Sequence, residues 1–488
     1  MMGSLLGFTF FSLELATFVV YFAVLLGIAC LSYRKQKSDT DFLIGDRSLN
    51  FWLTALSAHA SDMSSWLFLG YPALIYGQGV FSAWAAVGLT SFMYLNWQFV
   101  APKLRTITEQ SGSLTISSYF ETRFGDTSGS LRLVSGFMSI LFFLFYISSG
   151  LVGLGLLVEN LFGLSYTAGI SIGLLVVVIY VFMGGYRTIA WIDLFQGFFL
   201  LAVILFIPIV LLRDIGGMKP ILDAIAQKNL STSLFPDFSK ATFLSIFFTA
   251  AGWGLGYFGQ PHIITKFMGI RKVSDMSKAK YVGISWQAIA LVCATLIGLI
   301  GIYVFPDGLA NPEELTLNIV KKTLPGFFAG LVLCAVLAAT TNVMAAQILV
   351  VASNLSEDFY KRLFRKHASP GELLWVSRSS VLAISFIAFF VAFFKISTIY
   401  GLVLFSWSGL GSAFGPLILL SLYLKNLNKY GAFAGILVGG LTAAVWPYFD
   451  QLYGWQVPSL IPGYFLGTLS ILGMSALMRK RADLIIEP

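Results

Sequence analysis

Apolar residues run in stretches of about 20, the length a helix needs to cross the hydrocarbon core of a bilayer. They lie near 13–33, 51–77, 80–101, 132–158, 164–184, 189–212, 241–262, 281–305, 325–354, 372–394, 399–424, 430–448 and 457–478. The pattern predicts an all-α polytopic membrane protein: one transmembrane domain over 1–488, with about thirteen spanning helices. Two stretches break the pattern in the middle. The second, 51–78, centres on Ala58-His59-Ala60-Ser61-Asp62-Met63-Ser64-Ser65-Trp66, and the seventh holds Gly252, Gly254, Gly256, Gly259 and Pro261 within twelve residues. Polar groups, glycine and proline weaken a regular helix, and irregular backbone is tolerated at membrane depth only where it is buried in protein or lines a cavity.

The two interruptions are five spans apart. They fall at matching positions of two five-helix units, and an odd repeat length inverts the second unit relative to the first. Paired breaks of this kind point to a transporter's mid-membrane site, although small residues also suit tight helix packing. The reading is a five-plus-five inverted-repeat core, the arrangement that the family resemblance given below implies as a LeuT-type fold. Its first repeat covers 51–212 and its second 241–424, with an extra N-terminal helix and loop at 13–50 and C-terminal helices and tail at 430–488.

Charge sets the orientation. If the loop after the first span is cytoplasmic, 24 of the 31 Lys and Arg lie on that side and 7 on the other. Short loops rich in Lys and Arg stay inside, so the N-terminus is expected outside and the C-terminus in the cytoplasm. This accounts for the net charge of +8 without nucleic acid. The polar segment 213–240 has room for a short surface helix. No cleavable leader and no output domain are expected at the two ends.

Composition agrees with this class, with 57% hydrophobic and 11% charged residues and a mean hydropathy of +0.83. Cys30, Cys293 and Cys334 sit in apolar runs without metal-type spacing and read as small buried thiols. No phosphate loop, metal cluster or nucleophile with a positioned base is evident. An enzyme, a cofactor and an obligatory protein partner are therefore not expected.

Several motifs in order resemble the sodium/solute symporter family over nearly the full length, closest to its bacterial sodium/proline branch. They are Leu56-Ser57-Ala58 with Ala60-Ser61-Asp62-Met63-Ser64, the run from Gly252 to His262, Ala413-Phe414-Gly415-Pro416, Asp41-Phe42-Leu43-Ile44-Gly45-Asp46-Arg47-Ser48-Leu49, and Arg365-Lys366-His367-Ala368-Ser369. The resemblance implies alternating access around a central site, in a bacterial inner membrane. It implies sodium held between the broken second span and the ninth, by carbonyls of Ala60, Met63 and Ala339 and by two side chains at 342 and 343. This chain departs from the family there, with Asn342-Val343 in place of a serine-threonine pair.

Positions 339, 342 and 343 share one helix face, and Thr340 and Thr341 point elsewhere. Asparagine offers a carbonyl oxygen; valine offers none. By analogy with hydrogen bonds to charged groups, one lost ligand costs on the order of 1.5 to 3 kcal/mol, a factor of roughly 10 to 100 in affinity. His59 is the second departure, because the family has a small residue there. With the hydroxyl pair replaced, the alternative to sodium symport is a proton-coupled or uncoupled proline permease: an intramembrane histidine can carry a proton, or it can pack on a neighbouring helix and bond one backbone carbonyl.

Asp62 resembles a family aspartate tied to ion and solute binding, and could also cap the restarting helix. Asp193 resembles one near the ion's inward path, and could also be an interfacial helix-start charge near Arg187. For the solute, the resemblance implies Ser64, Ser65, Trp66, Tyr146, Trp253, Tyr257 and Gln260. Free amides near Ser64 and Ser65 suit a carboxylate, and the faces of Trp253 and Tyr257 suit an ammonium. The expectation is import of proline or a related small zwitterion by cation symport. A transporter-like nutrient sensor is the rival from another class.

Overall fold

A computed structural model describes residues 13–32, 44–183 and 186–486. Its helices are α1 (Leu13–Ser32), α2 (Phe51–Ala60), α3 (Tyr71–Gln78), α4 (Trp84–Leu95), α5 (Ala101–Gln110), α6 (Ile116–Arg123) and α7 (Ser130–Phe162). There follow α8 (Tyr166–Met183), α9 (Tyr186–Ile215), α10 (Lys219–Gln227), α11 (Lys240–Gly254), α12 (Pro261–Met268) and α13 (Met276–Val304). The last six are α14 (Leu315–Thr323), α15 (Gly326–Ser353), α16 (Pro370–Phe393), α17 (Ile399–Tyr423), α18 (Lys429–Tyr453) and α19 (Leu460–Ile486). Every one of the thirteen apolar runs falls on a helix or an interrupted helix. Nine helices are long and apolar enough to cross a membrane among the described residues. The segment 213–240 does hold a short helix, α10, which buries Ile221 and Ile225. Residues 33–43, with the basic loop residues Arg34, Lys35 and Lys37 and the motif positions Asp41, Phe42 and Leu43, lie outside the described residues.

Both expected interruptions are present, and each has a local cause. Helix α2 starts where the Asn50 side chain accepts from Leu53 N–H at 2.9 Å, and it ends in a turn at Ser61, whose hydroxyl bonds back to Ser57 O at 2.5 Å. The chain resumes through a wide turn at Trp66–Gly70 before α3. In the seventh span, α11 passes into a tight 3-10 turn at Leu255–Gly259, Gln260 is extended, and Pro261 opens α12. Proline suits a first helical turn, where its missing N–H is not needed.

The broken middles of both spans are buried in the bundle. Helix α2 packs on α9 and α13, α3 on α13, and α11 on α4. Helix α15 is wrapped by α1, α7 and α9, while α17 lies against α7 and the Leu255–Gly259 turn. These approaches need missing side chains. A Cβ at Gly88 would sit 2.2 Å from the Ala250 carbonyl oxygen, and one at Gly256 2.0 Å from the Trp407 indole nitrogen. Outside the bundle, α18 and α19 pair with each other.

Two expectations are corrected. Cys293 and Cys334 are buried, but Cys30 is exposed, because α1 lies at the edge of the bundle and turns Val19, Val20, Leu26 and Leu31 outward as well. Asp193 is not an interfacial charge; it is fully buried, in the second turn of α9.

A short connection also pins the start of α17. Both Glu313 oxygens accept backbone N–H groups, from Ile399 at 3.0 Å and Tyr400 at 2.7 Å. Those amides open a helix and have no intrahelical partner. Glu313→Ala is expected to cost about 1 to 3 kcal/mol, read as a lower unfolding temperature of the purified protein in detergent.

Candidate functional site

Interrupting a helix frees backbone groups, and in the seventh span side chains take them up. The Trp407 indole donates to Trp253 O at 2.7 Å, Asn96 Nδ2 donates to Tyr257 O at 2.9 Å, and Gln260 Nε2 reaches Gly256 O at 3.3 Å and Trp407 O at 3.0 Å. The broken backbone is thus held open. Tyr257 then joins the two interruptions: its hydroxyl donates to Asp62 Oδ2 at 2.5 Å and accepts from Gln287 Nε2 at 2.9 Å.

Around this link is a small cavity of about 20 Å3, lined by Asp62, Met63, Trp66, Leu89, Tyr146, Trp253, Tyr257, Val403 and Trp407. That is room for about one water, well short of the roughly 300 Å3 of an open small-ligand site, so the aromatic walls are closed on one another here. Its rings are in contact: Trp66 lies 4.9 Å from Trp253, and Tyr257 meets Trp407 edge-on at 5.0 Å. Two polar features are left for a ligand. The Asp62 carboxyl faces the cavity, and the Trp66 indole N–H has no hydrogen-bond partner among the described residues.

Of the expected solute residues, Trp66, Tyr146, Trp253 and Tyr257 line this cavity, whereas Ser64, Ser65 and Gln260 do not. The Ser64 hydroxyl accepts from Trp66 N–H at 3.2 Å and so caps the restarting chain, the role considered for Asp62. Ser65 is buried against Gly153, where a Cβ would meet its own Cβ at 2.9 Å. Gln260 is spent on the backbone of its own turn and of α17. Sequence reasoning missed Leu89, Val403 and Trp407. The small residues around Trp407, from Ser406 to Gly411, were a usable signal for a close approach.

The ion-coupling candidates lie below Asp62. Neither the Ala60 nor the Met63 carbonyl accepts a hydrogen bond in the turn after α2. On α15, Thr340 and Thr341 bond back to Val336 O and Leu337 O at 2.7 and 2.9 Å. Ala339, Asn342 and Val343 are buried, and neither polar atom of the Asn342 carboxamide completes a hydrogen bond among the described residues. His59 turns away from the cavity. Its Nε2 accepts from the Trp97 indole at 3.1 Å, its ring stacks on Trp97 at 6.0 Å, and it fills the space over Gly283, whose Cβ would be 2.2 Å from Nε2. Its partner is therefore a side chain rather than the backbone carbonyl expected of a packed histidine. Asp193 Oδ2 accepts from the Ser57 hydroxyl and from Lys266 Nζ, the latter at 3.1 Å.

A second cavity, of about 30 Å3, is lined by His262, Lys266, Ser353 and Asn354 among others. The edge-on contact of Tyr146 with His262, at 5.7 Å between ring centres, stands between the two.

Residues 42–439 match the sodium:solute symporter family. The chain belongs to that family. Family membership makes it a membrane transporter rather than an enzyme. It is 39% identical over 471 residues to the high-affinity proline transporter PutP of Bacillus subtilis, covering 95% of this chain and 98% of that protein. It is 36% identical over 482 residues to the sodium/proline symporter of Escherichia coli, covering 96% and 95%. Among solved structures, a substrate-bound, outward-open Na+-coupled sialic acid symporter aligns with TM-score 0.80 and 19% identity over 96% of this chain and 98% of that one. Mhp1, a nucleobase-cation-symport-1 transporter, aligns with TM-score 0.57 and 14% identity over 92% and 96%. The all-α, five-plus-five fold of the symporter is that of these proteins.

The Tyr257 hydroxyl carries the link between the two breaks, so its removal separates them without emptying the cavity. Tyr257→Phe is expected to lower transport about 10- to 100-fold, the value of one hydrogen bond to a charged group, as read by labelled-solute uptake at matched protein in the membrane.

Proposed function

We propose that this symporter imports proline, or a small zwitterion close to it, together with sodium. One observation carries the proposal: the small aromatic cavity sets a carboxylate acceptor, Asp62, and an unpaired indole donor, Trp66, on apolar walls. A zwitterion needs that combination. Its ammonium pairs with Asp62 and the faces of Trp253 and Tyr257, its carboxylate takes the Trp66 N–H, and its ring lies against the apolar walls. The names of the relatives support proline as the solute.

For the ion, the reading places sodium between the turn after α2 and α15, on the Ala60, Met63 and Ala339 carbonyls and the Asn342 side-chain oxygen. The buried, unbonded carboxamide of Asn342 supports this role. Val343 supplies no oxygen, so the site is weaker than one with two hydroxyls. The engagement of His59 with Trp97, off the cavity, weighs against a proton carried there. The Lys and Arg bias supports an outside N-terminus and a cytoplasmic C-terminus, which makes the second cavity the inward exit. The two repeats are taken as 51–212 and 241–424.

The test is labelled proline uptake into proteoliposomes, with sodium and proton gradients imposed separately. Accumulation driven by sodium alone is expected. Accumulation driven only by protons, equilibration without accumulation, or absence of proline binding would each overturn a stated part: the ion, the coupling or the solute. In the same assay, Asn342→Ser with Val343→Thr is expected to lower the half-saturating sodium concentration about 10- to 100-fold.

A further inference from the structure

Asp193 stands where four structural elements converge, and its two oxygens are used unequally. Oδ2 accepts from Ser57 on α2 and from the Lys266 ammonium on α12, while Oδ1 has no hydrogen-bond partner among the described residues. Asn342 on α15 lies beside this carboxyl, close enough for its carboxamide to interact with it, although neither of its polar atoms completes a hydrogen bond of ordinary geometry among the described residues. The ion pair is almost completely enclosed, with side-chain exposures of 3% for Lys266 and 0% for Asp193. Lys266 also borders the second cavity, and its ammonium lies 5.0 Å from the centre of the Tyr186 ring.

Two cations cannot share one buried carboxylate cheaply, because like charges a few ångströms apart repel strongly away from water. The lysine ammonium carries the same charge as sodium, yet it is tethered and is always present. We propose that Lys266 is a built-in competitor for the coupling cation: its ammonium occupies the exit station formed by Asp193, Ser57 and Asn342. An ion leaving the Asn342 site reaches the second cavity only when the ammonium swings away from Asp193. The cavity it borders is lined also by Ser139, Ser353 and Asn354, whose side-chain oxygens are acceptors for a displaced ammonium. The apparent affinity for the free ion then falls by the fraction of time the station is open. Lys266 thus joins Asn342 and Val343 in setting how much sodium the transporter needs, an inference that rests on the sodium-coupled reading above.

The experiment titrates sodium chloride against binding of labelled proline to the purified protein, and in parallel against its unfolding temperature without proline. Wild type, Lys266→Gln, Lys266→Arg and the double variant Asp193→Asn with Lys266→Gln are compared. Lys266→Gln is expected to lower the half-saturating sodium concentration about tenfold or more, with Lys266→Arg like wild type because a tethered cation remains. The double variant, which has no carboxylate at the station, is expected to lose the gain. A folded Lys266→Gln protein with wild-type sodium dependence overturns the inference, as does a gain that persists in the double variant. Should Lys266→Gln fail to fold with Asp193 left unpaired, the neutral double variant and Lys266→Arg decide: wild-type behaviour in Lys266→Arg with no gain in the double supports the inference, and a gain in the double overturns it. If wild type ignores sodium while Lys266→Gln responds to it, the sodium clause of the proposed function fails and the role of Lys266 stands. If wild type responds and Lys266→Gln is unchanged, the reverse holds.

Discussion

The hydrogen bond from the Tyr257 hydroxyl to Asp62 joins the two places where spanning helices are broken. A bilayer leaves no water to satisfy freed backbone groups, so each break survives only with fixed partners. Asn96, Gln260 and Trp407 supply them in the seventh span, and the Ser61 and Ser64 hydroxyls supply them in the second. Tyr257 ties these two self-contained turns across the centre of the molecule. An unpaired carboxylate there would be costly. One hydroxyl therefore holds the cavity's charge in place and links the two breaks.

Geometry around this link follows from side chains that are absent as much as from those present. The Trp407 indole reaches the Trp253 carbonyl only because Gly256 has no Cβ in its path. His59 is accommodated only because position 283 on α13 is glycine. Packing interiors tolerate little overfilling, so each large group beside the site is matched by a small one on another helix. The site is shaped from both repeats at once.

Polar groups divide along the same lines. Those nearest the cavity either complete a hydrogen bond inside the protein, as Gln260 and Ser64 do, or stay open toward a ligand, as the Trp66 indole and the Asn342 carboxamide do. Buried polar groups without partners are uncommon and need an explanation. The solute and ion proposed above would supply one, and the buried Asp193–Lys266 pair sets a fixed charge close to the Asn342 carboxamide.

The sequence by itself determined the membrane class, the thirteen apolar runs, the two paired interruptions and the replacement of two hydroxyls by Asn342 and Val343. These are properties of length, polarity and spacing along one chain. Only the tertiary structure decided which way the side chains of those runs face. The central helices are apolar on every side, so their periodicity does not distinguish a cavity face from a packed one. Hence His59 pairs with Trp97, Gln260 serves backbone instead of solute, Trp407 enters the cavity from ten spans after the chain's start, and Lys266 finds Asp193 across 73 residues. Such contacts depend on how each helix is rotated against its neighbours, and that is set by the packing of the whole bundle.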